Sequence, residues 1–246
     1  MSEEKIVTAA MLVIGDEILS GRTKDKNIGF VAEYLTGLGI DLNEVRIVPD
    51  DKDAIVEAVN ALRHRYDYVF TTGGIGPTHD DITAESISEA FGVPCEPHPK
   101  AIKEMAAYYA EQGLEFTEAR QRMARTPRGA ELIDNPISKA PGIRMENVHI
   151  MAGVPKIMQT MMDAIAPTLE AGQKVHSMAV HCPYGEGTIG GPLAKIQEDH
   201  PETMIGSYPK YDEGNYTTQI VVRGRDESVV KKAMESVEEM LANIIL

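Results

Sequence analysis

The chain contains no Trp, and aromatic residues make up only 5% of its 246 positions. A core without large rings must be filled by Val, Ile, Leu, Ala and the 13 Met. Cysteine is almost as scarce: Cys95 and Cys182 stand far apart, which argues against a disulfide framework or a thiolate metal site and for two free thiols. Basic residues are outnumbered, with 24 Lys and Arg against 38 Asp and Glu and a net charge of −14. Such a charge repels nucleic acid and anionic membranes unless cations cluster locally, and the densest basic stretch, Arg120 to Arg128, is short. Neither nucleic acid nor a membrane is therefore expected as a partner. No apolar run approaches transmembrane length and Met1-Ser2-Glu3-Glu4-Lys5 carries no basic leader, so a cytoplasmic location is expected.

Strand and helix patterns alternate through the first half. Ile6 to Ile14 is an apolar run of strand type, and Asn27 to Leu38 places Ile28, Val31, Leu35 and Leu38 on one helical stripe. A short strand at Val45–Val48 precedes a helix from about Asp53 to Arg65; Tyr68–Thr71 is the next strand, and Ile82 to Phe91 the next helix. The middle reads as helices over Pro99–Gly113 and Glu118–Arg125, then short strands at Glu131–Ile133, Ile143–Met145 and Val148–Met151, then a helix from Pro155 to about Leu169. This order predicts an α/β fold, a mostly parallel sheet with helices on both faces. Glu170-Ala171-Gly172-Gln173 reads as a linker. Beyond it the order becomes strand, helix, strand, strand, helix, which predicts a separate small α+β domain of βαββα type. The expected domains are residues 1–171 and 174–246.

The strongest local signal is Thr71-Thr72-Gly73-Gly74-Ile75-Gly76-Pro77-Thr78, set between a strand and a helix. Glycines at such a place let backbone N–H groups point at an anion, and the following helix N-terminus favours negative charge. No Gly-Lys-Ser/Thr follows, so this is not a Walker A loop, and without a third spaced glycine it is not a dinucleotide fingerprint. The plainer reading is a tight turn with Asp80 or Asp81 capping the helix. Two carboxylates beside a phosphate repel it unless a metal ion bridges them or one activates a water. Gly15-Asp16-Glu17, Pro49-Asp50-Asp51 and Gly153-Val154-Pro155-Lys156 also end strands and are candidates for the same edge, with Asp51 equally readable as a helix cap. Lys156 puts a cation in a first helical turn, where the dipole disfavours it unless an anion is near. In the second domain, Gly187-Thr188-Ile189-Gly190 matches the GXXG loop of KH domains, but that domain holds 7 basic against 11 acidic residues, a net of −4, and a turn entering a helix is the better reading.

Gly15-Asp16-Glu17-Ile18-Leu19, Asn27, Val48-Pro49-Asp50-Asp51, residues 71–83, Ala140-Pro141-Gly142 and Ala152-Gly153-Val154-Pro155 stand in an order and spacing that resembles the MoaB/Mog-like molybdopterin-binding domain. The version resembled is the one at the N-terminus of CinA-type (competence/damage-inducible) proteins, and the βαββα remainder resembles the small second domain of those proteins. Longer members carry a nicotinamide-nucleotide deamidase domain, which this sequence does not include. The molybdenum-cofactor branch of the family binds molybdopterin, and some members adenylylate it with Mg²⁺ and ATP; the functional Asp of that branch falls on Asp81. Here Ile75 stands for that branch's Thr and Asp80 for its Arg, and the loop instead follows the CinA-type pattern, with His79 in place of its usual lysine. That branch resembles metal-dependent pyrophosphatases acting on ADP-ribose, with a relative in FAD synthases that hydrolyses FAD.

The resemblance implies a phosphate-containing small-molecule ligand, molybdopterin or a nucleotide, held by Thr72, Gly73, Gly74, Gly76, Thr78, Gly153, Pro155 and Lys156. Asp81 and Asp50 are the expected catalytic carboxylates, and Asp81, Asp16 and Asp80 the expected ligands of Mg²⁺, with K⁺ as a further ion. Metal-dependent nucleotide pyrophosphatase activity is one expected function; a non-catalytic molybdopterin- or nucleotide-binding module is the other. Family members generally assemble, so a homo-oligomer is expected.

Overall fold

The computed structural model describes residues 5–212 and 215–244. The chain divides into two compact units, one reaching Gly172 and the other starting at Gln173.

The first unit begins with β1 (Val7–Ile14), the one-turn helix α1 (Asp16–Leu19), α2 (Asn27–Gly37), β2 (Ile40–Val48), α3 (Lys52–Arg63), β3 (Tyr68–Thr72) and α4 (Thr83–Ala90). It continues through β4 (Cys95–Pro97), α5 (Pro99–Glu111), α6 (Glu118–Arg122) and β5 (Arg125–Pro127). Then follow β6 (Glu131–Ile133), β7 (Gly142–Met145), β8 (Val148–Met151) and α7 (Pro155–Ile165). Six strands form one sheet in the order β2-β1-β3-β8-β7-β6. The pairings from β2 through β8 are parallel and the last two antiparallel, so the sheet is mostly parallel, as expected.

β1 reads as an unbroken apolar run because both of its faces are buried. Ala10, Leu12 and Ile14 pack with Ile55, Val59, Leu62 and Ile87 of α3 and α4. Met11 and Val13 pack with Val31 and Leu35 of α2 and with Met158 and Met162 of α7. Helices therefore cover both faces. Methionine supplies much of the second layer, filling the space that rings would take in a more aromatic protein.

Three sequence expectations change. β2 starts at Ile40, not Val45; the polar residues Asp41, Asn43 and Glu44 hide an edge strand whose register with β1 shifts at Ala9/Ala10. The helix expected to end at Arg125 stops at Arg122, and Arg125–Pro127 pairs instead with Cys95–Pro97 as a two-stranded ribbon too short and proline-rich to show a period. The helix from Pro155 ends at Ile165, where Pro167 forces Ala166–Thr168 into a 3₁₀ turn.

The second unit comprises β9 (His176–Cys182), α8 (Glu186–Asp199), β10 (Thr203–Asp212), β11 (Asn215–Gly224) and α9 (Glu227–Asn243). Its antiparallel sheet runs β10-β11-β9, and Cys182, Ile189, Ile220, Val222, Val230 and Val237 form its core. Gly187–Gly190 lies inside α8 rather than in a turn before it. Both cysteines are free, Cys182 buried and Cys95 half-buried. Among the described residues no helix is long and apolar enough to cross a membrane.

Candidate functional site

Parallel pairing gathers the carboxyl ends of four strands. Ile14 lies beside Val48, Val13 beside Thr72, and Thr72 beside Met151. The segments after those strands, at Gly15, Pro49, Gly73 and Ala152, therefore emerge along one sheet edge, where open α/β sheets bind ligands. Gly73 N donates to the Met151 carbonyl at 3.2 Å, and Gly15 N to the Val48 carbonyl at 3.1 Å.

Close approach fixes the shape of the loop. Gly73 has φ +105°, and a side chain there would start 2.0 Å from the Ile14 carbonyl oxygen. Only glycine fits that place. A side chain on Gly76 would start 2.5 Å from Asp81 Oδ2, so the Asp81 carboxylate lies directly against the loop backbone. Thr83, first residue of α4, donates its hydroxyl to the Gly73 carbonyl at 3.0 Å and its N–H to the Gly74 carbonyl at 3.0 Å. This replaces the expected cap: Ile82 occupies the N-cap of α4 with no side-chain bond, so neither Asp80 nor Asp81 caps the helix. Asp51, in contrast, does cap α3, accepting from Ala54 N at 2.9 Å.

The acidic side chains divide into two groups. Asp81 Oδ2 accepts from Thr78 N at 2.8 Å and lies 2.6 Å from the Thr78 hydroxyl, which also touches Asp80 Oδ1. Asp81 is thereby engaged in closing the loop. The Thr78 hydroxyl and its own backbone N–H hold the Asp80 carboxyl below the usual carboxylate range. On the β1 and β2 side, Asp50 Oδ2 accepts from Asp16 N at 2.9 Å. Asp50 Oδ1 lies 3.6 Å from where a side chain on Gly74 would begin. Burial raises the Asp50 proton affinity; the Asp16 N–H opposes this, and the charges of Asp16, Glu17 and Asp80 add to it. No cation pairs with Asp50 among the described residues.

Among the described residues no three His, Cys, Asp or Glu side chains form a ready-made metal cage. The oxygen donors nevertheless suit Mg²⁺, which is commonly held by one or two carboxylates together with substrate phosphates and water rather than by a full protein cage. Asp50, a carboxylate with no cation partner among the described residues, is one donor of that kind.

The other expected ligand-binding residues are placed unequally. Gly153 meets the loop: a side chain there would start 3.3 Å from Gly73 Cα. Pro155 begins α7, and the exposed Lys156 has no ion pair among the described residues. Thr72 is 1% exposed and its hydroxyl has no partner. Three further residues join the edge. Asn27, 4% exposed, donates Nδ2 to the Gly153 carbonyl at 2.9 Å, while its Oδ1 is buried without a donor. Arg122 and Arg125 line a small cleft with Gly74, Gly76, Asp81 and Pro141. The short basic stretch at Arg120–Arg128 was the available signal for them; nothing in its spacing told which arginine turns toward the loop.

A mostly parallel sheet with a glycine loop and carboxylates at its carboxyl edge makes the first unit an open α/β binding domain. Residues 10–171 match the family described as "Probable molybdopterin binding domain", and the chain belongs to that family. Residues 174–246 match "FAD synthase, middle domain". A protein of Archaeoglobus fulgidus is 33% identical over 231 residues, covering 94% of this chain and 96% of its own length. The "Probable FAD synthase" of Caenorhabditis elegans is 29% identical over 263 residues, which span 97% of this chain and 51% of that protein. Among solved structures, the CinA protein of Thermoplasma acidophilum, a protein of unknown function, superposes with a TM-score of 0.62 at 32% identity, covering 66% of this chain and 98% of that one. The MoaB/Mog-like and CinA-type resemblance read from the motifs is thus borne out.

Proposed function

We propose that the first unit binds a nucleotide through its phosphates and hydrolyses a pyrophosphate bond of the kind found in ADP-ribose or FAD. The carrying observation is the Asp50 carboxylate, which lies against Gly74 with Asp16, Glu17 and Asp80 in electrostatic reach and no cation paired with it among the described residues. An acidic rim against an anion cradle is unfavourable unless the ligand arrives with a metal ion. Asp16 and Asp80, together with ligand oxygens, would hold Mg²⁺, with K⁺ as an assisting ion. Bound there, the ion supplies positive charge to the phosphate oxygens. The Gly74 and Gly76 backbone would orient the phosphates, and Asp81, tied to Thr78, keeps that backbone in place. Asp50 is the group to take the proton from an attacking water. The water oxygen bonds to one phosphorus, the bridging P–O bond breaks, and AMP leaves with the partner phosphate.

The relative named as an FAD synthase and the match of the second unit to an FAD synthase domain support the choice of dinucleotide. A second reading, a module that binds molybdopterin or a nucleotide without turning it over in molybdenum cofactor biosynthesis, is supported by the family description of residues 10–171. Purified protein incubated with ADP-ribose or FAD and Mg²⁺, with and without K⁺, separates the two. AMP release is expected; tight binding with no hydrolysis under any common divalent ion leaves only the binding module.

A further inference from the structure

We propose that Arg122 is the cation that receives the ligand's phosphate at the glycine loop, a role that rests on the nucleotide reading above. Four arginines lie between positions 120 and 128, and three are already satisfied. The Arg120 guanidinium lies over the Tyr109 ring, 4.5 Å from its centroid, and donates to the Glu115 carbonyl. Arg125 donates Nη1 to Glu85 Oε1 at 2.7 Å and Nη2 to the Cys95 carbonyl at 3.3 Å. Arg128 forms a forked pair with Glu96, with contacts from 2.8 to 3.2 Å.

Arg122 differs. Its Nη2 makes one long contact, 3.4 Å, to the Asp81 backbone carbonyl. Its Nε is buried with no acceptor, and it has no carboxylate partner among the described residues. The side chain is half-buried in the cleft it shares with Gly74, Gly76, Asp81 and Pro141. A guanidinium that is partly desolvated and lacks an anion is costly, more so with an N–H left unbonded. Arg120 also has no carboxylate among the described residues, but its guanidinium is taken up by the Tyr109 ring and the Glu115 carbonyl, whereas Arg122 is left with the one long contact and an unbonded Nε.

A phosphate satisfies what is missing. Guanidinium and phosphate match as a fork, two N–H groups to two oxygens, and the bond is stronger where water is partly excluded. The loop backbone and Arg122 would then hold the anion from two sides, while the carboxylates around Asp50 take the metal ion. His79, at the position where the CinA-type loop usually carries lysine, is 97% exposed and cannot supply that fixed charge from within the cleft.

Because the group is unsatisfied in the free protein, its loss has a signature that a structural arginine lacks. Arg122→Met should leave the free protein's Tm unchanged or higher, and should weaken binding of inorganic pyrophosphate, measured by calorimetry with Mg²⁺ present, by about 10- to 100-fold. Arg122→Lys should recover only part of that loss, because a point charge replaces the fork. Arg120→Met, which removes the same charge outside the cleft, should bind as wild type does. With ADP-ribose as substrate, Arg122→Met should raise KM more than it lowers kcat. Wild type that fails to bind pyrophosphate overturns the proposal, as does an Arg122→Met protein that binds it normally. So does one that is destabilised with unchanged affinity, which marks the arginine as structural. If wild type binds pyrophosphate through Arg122 but hydrolyses no dinucleotide, the reaction proposed above fails and this assignment stands. If dinucleotides are hydrolysed and Arg122→Met leaves KM unchanged, the reverse holds.

Discussion

Each unit has a glycine-rich segment, and the two differ in what surrounds the missing side chains. In the first unit a Cβ on Gly73, Gly74 or Gly76 would lie within 2.0 to 2.5 Å of a carbonyl, a hydroxyl or a carboxylate oxygen. In the second unit Gly185, Gly187, Gly190 and Gly191 have nothing within 4 Å of that position. The first set is glycine because other atoms fill the space and, at Gly73 and Gly74, because φ is positive. The second set lies at the start of an ordinary helix and is under no steric demand. A run of glycines in a sequence therefore marks a candidate cradle, and only the neighbours decide whether it is one.

Gly73→Ala tests this contrast most severely. The added methyl would collide with the Ile14 carbonyl and the φ of +105° would be strained, so a loss of roughly 3 kcal/mol or more of first-unit stability is expected in urea titrations. A loss under ~1 kcal/mol would show that the loop relaxes freely and is no rigid cradle.

Asp50→Asn should act on chemistry instead of shape. It removes a half-buried charge that faces Asp16, Glu17 and Asp80, so the free protein should be no less stable. Turnover of ADP-ribose should fall by about 10²- to 10⁴-fold. Unchanged kcat would remove Asp50 from the reaction.

Acid should separate the units as well. His149 of β8 is 2% exposed, stacks on Phe70 and has its pKa lowered to about 4, chiefly by burial and secondarily by the Arg144 charge. The folded state resists a proton that the unfolded chain accepts near pH 6.5, so this stability is complete above that pH and declines as pH falls toward 4. The full loss is about 3 kcal/mol. No histidine of the second unit is buried among the described residues. Calorimetry between pH 7 and pH 4 should show the first unit's transition moving down more than the second's. His149→Phe, which keeps the stacking surface, should flatten that dependence; a variant with the same acid sensitivity would assign it elsewhere.

The smallest effect is expected in the second unit. Gly190→Ala, on an exposed helical turn, should add about 0.5–1 kcal/mol to that unit's stability and leave pyrophosphate binding untouched. A destabilised protein would mean that the glycine serves a contact the surrounding space does not suggest.

Much of this molecule was legible along the chain. Local periodicity marked α2, α3 and the last helix because each presents a repeating apolar face, and unbroken apolar runs marked β1 and β3, whose two faces are both buried. The strand–glycine–helix order marked the loop, and the positions of Asp16, Asp50 and Gly153 just after strand ends marked them for the same edge. The first part of β2 was not legible, since its pairing with β1 overrides the polar Asp41-Leu42-Asn43-Glu44, and neither were the three-residue strands around Pro97 and Pro127.

Residue types and their order along the chain were enough for the fold class, the division near Gly172 and the location of the loop, since propensity, periodicity and strand-end chemistry are local properties. The roles of individual polar groups came only with tertiary structure. Asp80 and Asp81 sit next to each other in sequence, yet one ties the loop through Thr78 N while neither caps α4. Four arginines lie within nine positions, yet three are fully engaged while Arg122 keeps one long contact and a buried Nε without an acceptor among the described residues. Asn27, more than a hundred residues away, reaches the Gly153 carbonyl and leaves its own oxygen without a donor. Whether a charge or a hydrogen-bonding atom is satisfied depends on what lies within about 3 Å of it, and that distance is set by packing between elements remote in the chain.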